Sequence, residues 1–151
     1  MSTNKHIIIE DRINETSDAV TFILGQNELL NNYKSGQFIT LLLTIAGEKV
    51  RRSYSFSSSP FIDSKASITI KKIQDGKVSS YMIDTVKKGD LIECIQPTGT
   101  FTLDKSTSGS LVFIGAGSGI TPLISMIKSA LTTATYKQIV LIYSNRNEDA
   151  V

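Results

Sequence analysis

The sequence has one cysteine and one histidine, and each shortage removes a class of chemistry. A single Cys94 cannot form an internal disulfide, and it cannot build a cysteine-ligated metal cluster. It sits in the strand-like LIECIQ and reads as a small core residue rather than a reactive thiol. His6 has no second ligand at metal-binding spacing, so no metal chemistry is expected. No apolar run approaches bilayer-spanning length; LVFI, at 111–114, stops at Gly115. An excess of one charge is missing too. The net charge of +2 gives no global field to draw the chain to nucleic acid or an anionic membrane, and neither is an expected partner. The opening MSTNKHIIIEDR lacks the long apolar core of a signal peptide, and a cytoplasmic location is expected.

What the chain does contain is strand pattern. An apolar fraction of 40% with 20% charged residues suits a soluble globular protein, and 151 residues suffice for one domain or for one and part of another. Residues 6–13, 19–25, 36–45, 48–57, 66–73 and 90–97 are rich in β-branched residues and separated by turn material such as NETSD and SSPFIDSK. One segment differs. VSSYMIDTVKKG spaces Tyr81, Met82 and Val86 near helical intervals, opens on serines suited to N-capping and ends at Gly89, which predicts one short helix. Six antiparallel strands with one helix predict a Greek-key barrel over residues 1–104.

The character changes beyond residue 104. DKSTSGS reads as a linker, LVFIG as a short buried strand, GAGSGI as a glycine turn, TPLISMIKSALTTA as a helix and QIVLIYSN as a second buried strand. Strand, helix, strand with apolar runs is a βαβ unit, whose strands pair in parallel. Residues 105–151 are thus expected to be the start of an α/β nucleotide-binding domain. Two parallel strands make no doubly wound sheet, so the chain is expected to be a fragment of a longer protein, with self-association through its α/β part as one consequence.

Three short stretches carry candidate chemistry. In RRSYSFSSSP, at 51–60, strand alternation puts Arg52, Tyr54 and Phe56 on one face and Arg51, Ser53 and Ser55 on the other. A guanidinium beside a phenol suits a planar, phosphate-bearing ligand; an ordinary amphipathic strand with solvated arginines is the alternative. In GAGSGITP, at 115–122, glycines at 115, 117 and 119 allow a sharp turn and a close backbone approach before a helix N-terminus, and Pro122 suits a first helical turn. A plain strand-to-helix turn would look the same. In DGKVSSY, at 75–81, a helix beginning near Ser79 would aim free backbone N–H groups and the serine hydroxyl at one spot, with Lys77 nearby. A hairpin turn running into a capped helix explains it equally.

In order, RRSYSFSS, ITIKK, DGKVSSY, QPTGTF, GAGSGITPLISM and YSNR resemble the ferredoxin–NADP reductase superfamily, above all the reductase modules of oxygenases and flavohaemoglobins. The resemblance runs from about residue 4 to residue 149. It implies an FAD-binding barrel in which Arg52, Ser53, Tyr54 and Ser55 bind the flavin: Arg52 at a phosphate, Tyr54 against the ring system and Ser55 near the reactive nitrogen. It implies that Ile70, Lys71 and Lys72 border the ribityl and adenine side, and that Gly76, Lys77, Val78 and Ser79 form a phosphate turn. Gly115, Gly117, Gly119, Thr121 and Pro122 match the loop that receives the nicotinamide nucleotide's pyrophosphate, while Ser144 and Arg146 fall where the adenosine ribose is read.

The function implied is an NAD(P)H-dependent flavin oxidoreductase that passes electrons to a redox partner: a ferredoxin, iron–sulfur, haem or oxygenase component. NADPH is expected over NADH as donor, because Ser144, Asn145 and Arg146 offer a hydroxyl and a guanidinium while the first carboxylate is Glu148. No side chain is required as a catalytic proton shuttle. Family members continue with several more strands and a Cys-Gly element near the nicotinamide, which this sequence does not contain. Two other readings stay open: a flavin-binding electron-transfer subunit with no nicotinamide reaction of its own, and a non-enzymatic ligand-binding barrel.

Overall fold

The computed structural model describes residues 5–103, 108–132 and 135–146. Six antiparallel strands, β1 (Lys5–Asn14), β2 (Ala19–Leu24), β3 (Phe38–Ile45), β4 (Glu48–Ser55), β5 (Ser67–Lys71) and β6 (Leu91–Thr98), form one sheet in the order β4-β3-β6-β1-β2-β5. Every strand but β4 turns apolar side chains inward. Ile7 and Ile9, Ile39 and Leu41, Ile68 and Ile70, and Ile92 and Cys94 are buried together with Val20, Phe22 and Leu24. At about 1.5–3 kcal/mol per large apolar side chain, this inner face dominates the stability of the barrel. The sheet curls until its edges meet. Phe56 bridges Ile68, and the Ser57 N–H donates to the Ser67 carbonyl at 2.9 Å.

Along the rest of β4 that edge is open, and helix α1 (Lys77–Thr85) lies across the gap, with Val78 and Met82 in the barrel core. The helix departs from the sequence expectation at both ends. It begins at Lys77 after Gly76, with no side-chain cap, rather than near Ser79. The Ser79 hydroxyl is taken by the preceding turn, accepting from the Ile73 N–H at 3.1 Å and donating to the Gly76 carbonyl at 3.3 Å. It ends at Thr85, short of Gly89, because Val86 turns extended (φ −71°, ψ 131°) and enters the core. Arg12 of β1 caps the final turn, donating to the Ile83 and Val86 carbonyls at 3.0 Å each. Gly89, at φ +95°, serves the turn into β6.

Another element inside expected turn material is a short 3₁₀ turn, Glu28–Leu30. The Asn27 side chain caps it through the Leu29 N–H at 3.0 Å, and it carries Leu30 into the core. The expected boundary at 104/105 lies outside the described residues. Beyond it, β7 (Gly109–Ala116) pairs in parallel with β8 (Tyr136–Ser144), joined by a 3₁₀ turn at Gly117–Gly119 and helix α2 (Ile120–Leu131). This is the βαβ unit the sequence predicts; residues 133–134 of the expected helix lie outside the described residues. Phe113, Leu123 and Met126 form its small core, and the opposite face exposes Val112, Ile114 and Ile142. No helix among the described residues is long and apolar enough to cross a membrane.

The joint between barrel and α2 is made of hydroxyl groups. Ser125 donates to the Ser58 carbonyl, and Ser129 bonds to both Ser59, at 2.8 Å, and Ser35. Ser58 is the hub: its hydroxyl accepts from the Ser67 N–H at 2.8 Å and pairs with the Tyr33 phenol at 2.7 Å. Beside the seam, Lys128 reaches Asp63 at 3.1 Å. All six of these serines are buried. Among the described residues no buried side-chain nitrogen or oxygen lacks a partner, so the polar seam is satisfied rather than costly.

Candidate functional site

The β4 edge sets the first part of the site. Val50, Arg52 and Tyr54 stand opposite Leu43, Leu41 and Ile39, and residues directly opposite in an antiparallel pair share a face. Because those partners are buried, Arg52 and Tyr54 lie on the inner face, at the rim the barrel leaves open. Tyr54 is half-buried against the core; burial raises its phenol pKa above the usual value, and the Arg52 charge pulls the other way. Arg52 is exposed, and its guanidinium donates to the Arg51 carbonyl at 3.0 Å. Ser53 is on the far face, its hydroxyl bonded to Thr40 at 2.8 Å, and so does not join them. Ser55, half-buried, ends the strand just before the Phe56 bridge.

Four of the five cations singled out from the sequence lie on the barrel and its helix, and three of those four are already paired. Lys77 binds Glu48, Lys72 binds Asp84 at 2.7 Å and Lys71 lies 3.7 Å from Asp18. Lys77 holds the Glu48 carboxyl below its ordinary pKa, first by direct hydrogen bonding. Among the described residues no carboxylate pairs with Arg52. Of these four it is the one left for an external anion. Ile70 points into the core at 1% exposure, so only its backbone can border a ligand.

The Lys77–Glu48 pair places the start of α1 beside the start of β4, on the same strand face as Arg52. The first-turn N–H groups of Lys77, Val78 and Ser79 have no acceptor within a helix that begins there. The Val78 side chain is buried in the core, and the Ser79 hydroxyl is engaged with the Gly76 turn, so these residues offer backbone donors rather than side chains. Gly76 is required by packing, since a Cβ there would meet the Ser79 Oγ at 2.5 Å and the Ile73 carbonyl at 2.9 Å. A phenol face, an unpaired guanidinium and a helix N-terminus along one open rim fit a flat ring system that carries phosphates.

The glycine turn forms the second part. A Cβ at Gly115 would meet Leu123 Cδ1 at 2.6 Å, so this glycine lets α2 pack on β7. Gly117 has φ +50°, a left-handed conformation. Gly119 is different from every other glycine in the chain: its φ is −63°, and a Cβ would meet nothing within 4 Å. Neither backbone nor protein packing demands glycine there. Thr121 is buried with its hydroxyl on the Ser118 carbonyl at 3.1 Å, and Pro122 occupies the first turn of α2. Ser144 ends β8 opposite Ala116, and Arg146 is exposed two residues on.

Sequence reasoning missed two features. One is Tyr143, whose phenol donates to the Gly117 carbonyl at 2.8 Å. The other is the hydroxyl seam, for which the four-residue spacing of Thr121, Ser125 and Ser129 was the available signal.

Residues 6–103 match the oxidoreductase FAD-binding domain family, and residues 113–151 match the oxidoreductase NAD-binding domain family. The ferredoxin reductase component of a 3-ketosteroid-9-alpha-monooxygenase from Rhodococcus rhodochrous is 39% identical over 143 residues, covering 92% of this chain and 40% of that protein. A flavohemoprotein from Bacillus subtilis is 35% identical, covering 96% of this chain and 37% of its own. The chain therefore spans about two fifths of the length of these curated relatives. In fold it is similar to a ferredoxin NADP+ reductase from Neisseria gonorrhoeae with bound FAD and NADP, with a TM-score of 0.85 at 24% identity over 100% of this chain and 61% of that one.

Proposed function

Because the chain belongs to the oxidoreductase FAD-binding domain family, we propose that it binds FAD along the open rim of the barrel and serves an NAD(P)H-dependent oxidoreductase. Electrons pass from a reduced nicotinamide, by preference NADPH, to a redox partner protein or domain such as an iron–sulfur, haem or oxygenase component. Bound FAD supplies the step from two-electron to one-electron chemistry, and the protein supplies position and electrostatics. Arg52 holds a phosphate of the cofactor, joined by the first-turn N–H groups of Lys77, Val78 and Ser79. Tyr54 packs against the ring system, and Ser55 lies near its reactive nitrogen. The turn from Gly115 to Pro122 receives the nicotinamide nucleotide's pyrophosphate, with Ser144 and Arg146 at its adenosine end. The domain boundary falls at 104/105.

The observation that carries this reading is the unpaired Arg52 beside Tyr54 on the inner face of the open edge strand. Two inexpensive measurements test it. Flavin absorbance in the purified protein is expected, and its bleaching by NADPH under argon follows if the nucleotide turn works as assigned. A colourless protein that takes up no FAD would overturn the reading.

A further inference from the structure

The end of β8 and the glycine turn are joined by a chain of three hydrogen bonds. The Tyr143 hydroxyl donates to the Gly117 carbonyl at 2.8 Å. That hydroxyl accepts from the Asn145 side-chain amide at 3.2 Å, and the Asn145 Oδ1 accepts from the Arg146 N–H at 2.9 Å. The polarity is consistent at every link, since the Tyr143 hydroxyl and the Asn145 side-chain amide each donate at one link of this chain and accept at the other. Tyr143 has no role in the readings above.

Its position matters because of what it connects. Gly117 holds a left-handed conformation, from which the chain enters the 3₁₀ turn and α2. A carbonyl fixed from across the sheet holds that turn in one shape before any ligand arrives, which lowers the ordering cost of binding. Arg146, at the other end, is exposed and adjacent to the strand end. We infer that Tyr143 and Asn145 form a relay that pre-shapes the pyrophosphate turn and couples it to the adenosine-reading segment, so that the two halves of the nicotinamide nucleotide site respond to each other. Tyr143 is a positioning residue in this scheme; it acts through Gly117. The inference rests on the nucleotide reading proposed above, and deepens it.

The test uses the FAD-loaded protein, Tyr143→Phe and Asn145→Ala, with NADP+ and NAD+ as probes in binding calorimetry. Tyr143→Phe removes one oxygen and keeps the ring. It is expected to weaken both nucleotides by roughly two- to tenfold, the range of one neutral hydrogen bond, with FAD content unchanged. Asn145→Ala is expected to move affinity in the same direction by less. Arg146→Ala is expected to weaken NADP+ alone, and less so in the Tyr143→Phe background than in wild type, since coupled residues are non-additive. Without any nucleotide, the amides of 117–121 are expected to exchange hydrogen faster in Tyr143→Phe. If the wild type binds nucleotide and Tyr143→Phe matches it in both affinity and exchange, the relay is refuted while the nucleotide reading stands. If the wild type binds neither nucleotide, the underlying reading falls and the relay with it.

Discussion

Replacing Arg52 by alanine separates ligand binding from folding. The side chain is exposed, makes its hydrogen bond to the neighbouring Arg51 carbonyl, and pairs with no carboxylate among the described residues. Its removal should therefore change folding stability by no more than about 0.5 kcal/mol, as for surface substitutions in general. Loss of a charge-assisted contact to a phosphate costs about 1.5–3 kcal/mol, which is roughly ten- to hundredfold in affinity for FAD. FAD titration followed by fluorescence, beside thermal unfolding of the apoprotein, reads both quantities. Arg52→Lys keeps the charge but loses the planar fork, so an intermediate affinity is expected. A ligand-free check comes from Tyr54. Burial raises its phenol pKa while Arg52 pulls it down, so Arg52→Ala should raise it further, which ultraviolet titration against a Tyr54→Phe background can follow. Unchanged FAD affinity would refute the phosphate assignment. A loss of affinity that merely tracks a loss of stability would show that Arg52 holds the fold rather than the ligand.

Three other outcomes are expected. Gly119→Ala, at a helical φ with open space around the new methyl, should leave stability unchanged or up to about 1 kcal/mol higher while weakening NADP+; equal NADP+ affinity in calorimetry would remove Gly119 from the site. Burial pushes the Tyr33 phenol up to about 12, so the folded state keeps a proton that the unfolded chain releases near pH 10; its stabilisation is complete below pH 10 and is lost as pH rises towards 12. Denaturant melts across that window should show an alkaline loss on the order of 2 kcal/mol, smaller in Tyr33→Phe, and an identical loss in the variant would show the proton resides elsewhere. Ser125→Ala withdraws the donor from the buried Ser58 carbonyl and should cost about 1–3 kcal/mol, with faster proteolysis in α2 than in the barrel; a wild-type digestion pattern would show that the seam contributes nothing to the joint.

The barrel was legible because its information is local. Ile7 and Ile9, Ile39 and Leu41, and Ile68 and Ile70 alternate with outward residues, and a period of two needs no knowledge of partners. The same rule placed Arg52 with Tyr54 and Ser53 opposite them. The helix boundaries of α1 were less legible, since they depend on groups distant in the chain: Arg12 caps its end from β1, 71 and 74 residues away in sequence, and Val86 leaves the helix to fill the core. Charge pairing was not legible at all. Nothing in the spacing of Lys77 and Glu48 or of Lys128 and Asp63 predicts that they meet.

The stretch RRSYSFSSSP shows how one local pattern can serve two unrelated ends. Up to Ser55 the strand alternates and offers Arg52 and Tyr54 to the open rim. From Phe56 the chain leaves β4, bridges β5 and turns its serines inward, where Ser57 bonds Ser67 and Thr69, and Ser58 and Ser59 meet Ser125 and Ser129 of α2. A serine cluster beside a proline reads locally as a solvated loop, because short hydroxyl side chains favour turns. Ser58 and Ser59 find part of their hydrogen bonding only in α2, more than sixty residues later in sequence. That bonding also ties the two proposed sites together mechanically. The strand that carries Arg52 and Tyr54 runs within three residues into Ser58, and Ser125 lies one helical turn from Thr121 at the glycine turn. A displacement of α2 against the barrel must therefore break buried hydroxyl contacts before it can move the glycine turn away from β4.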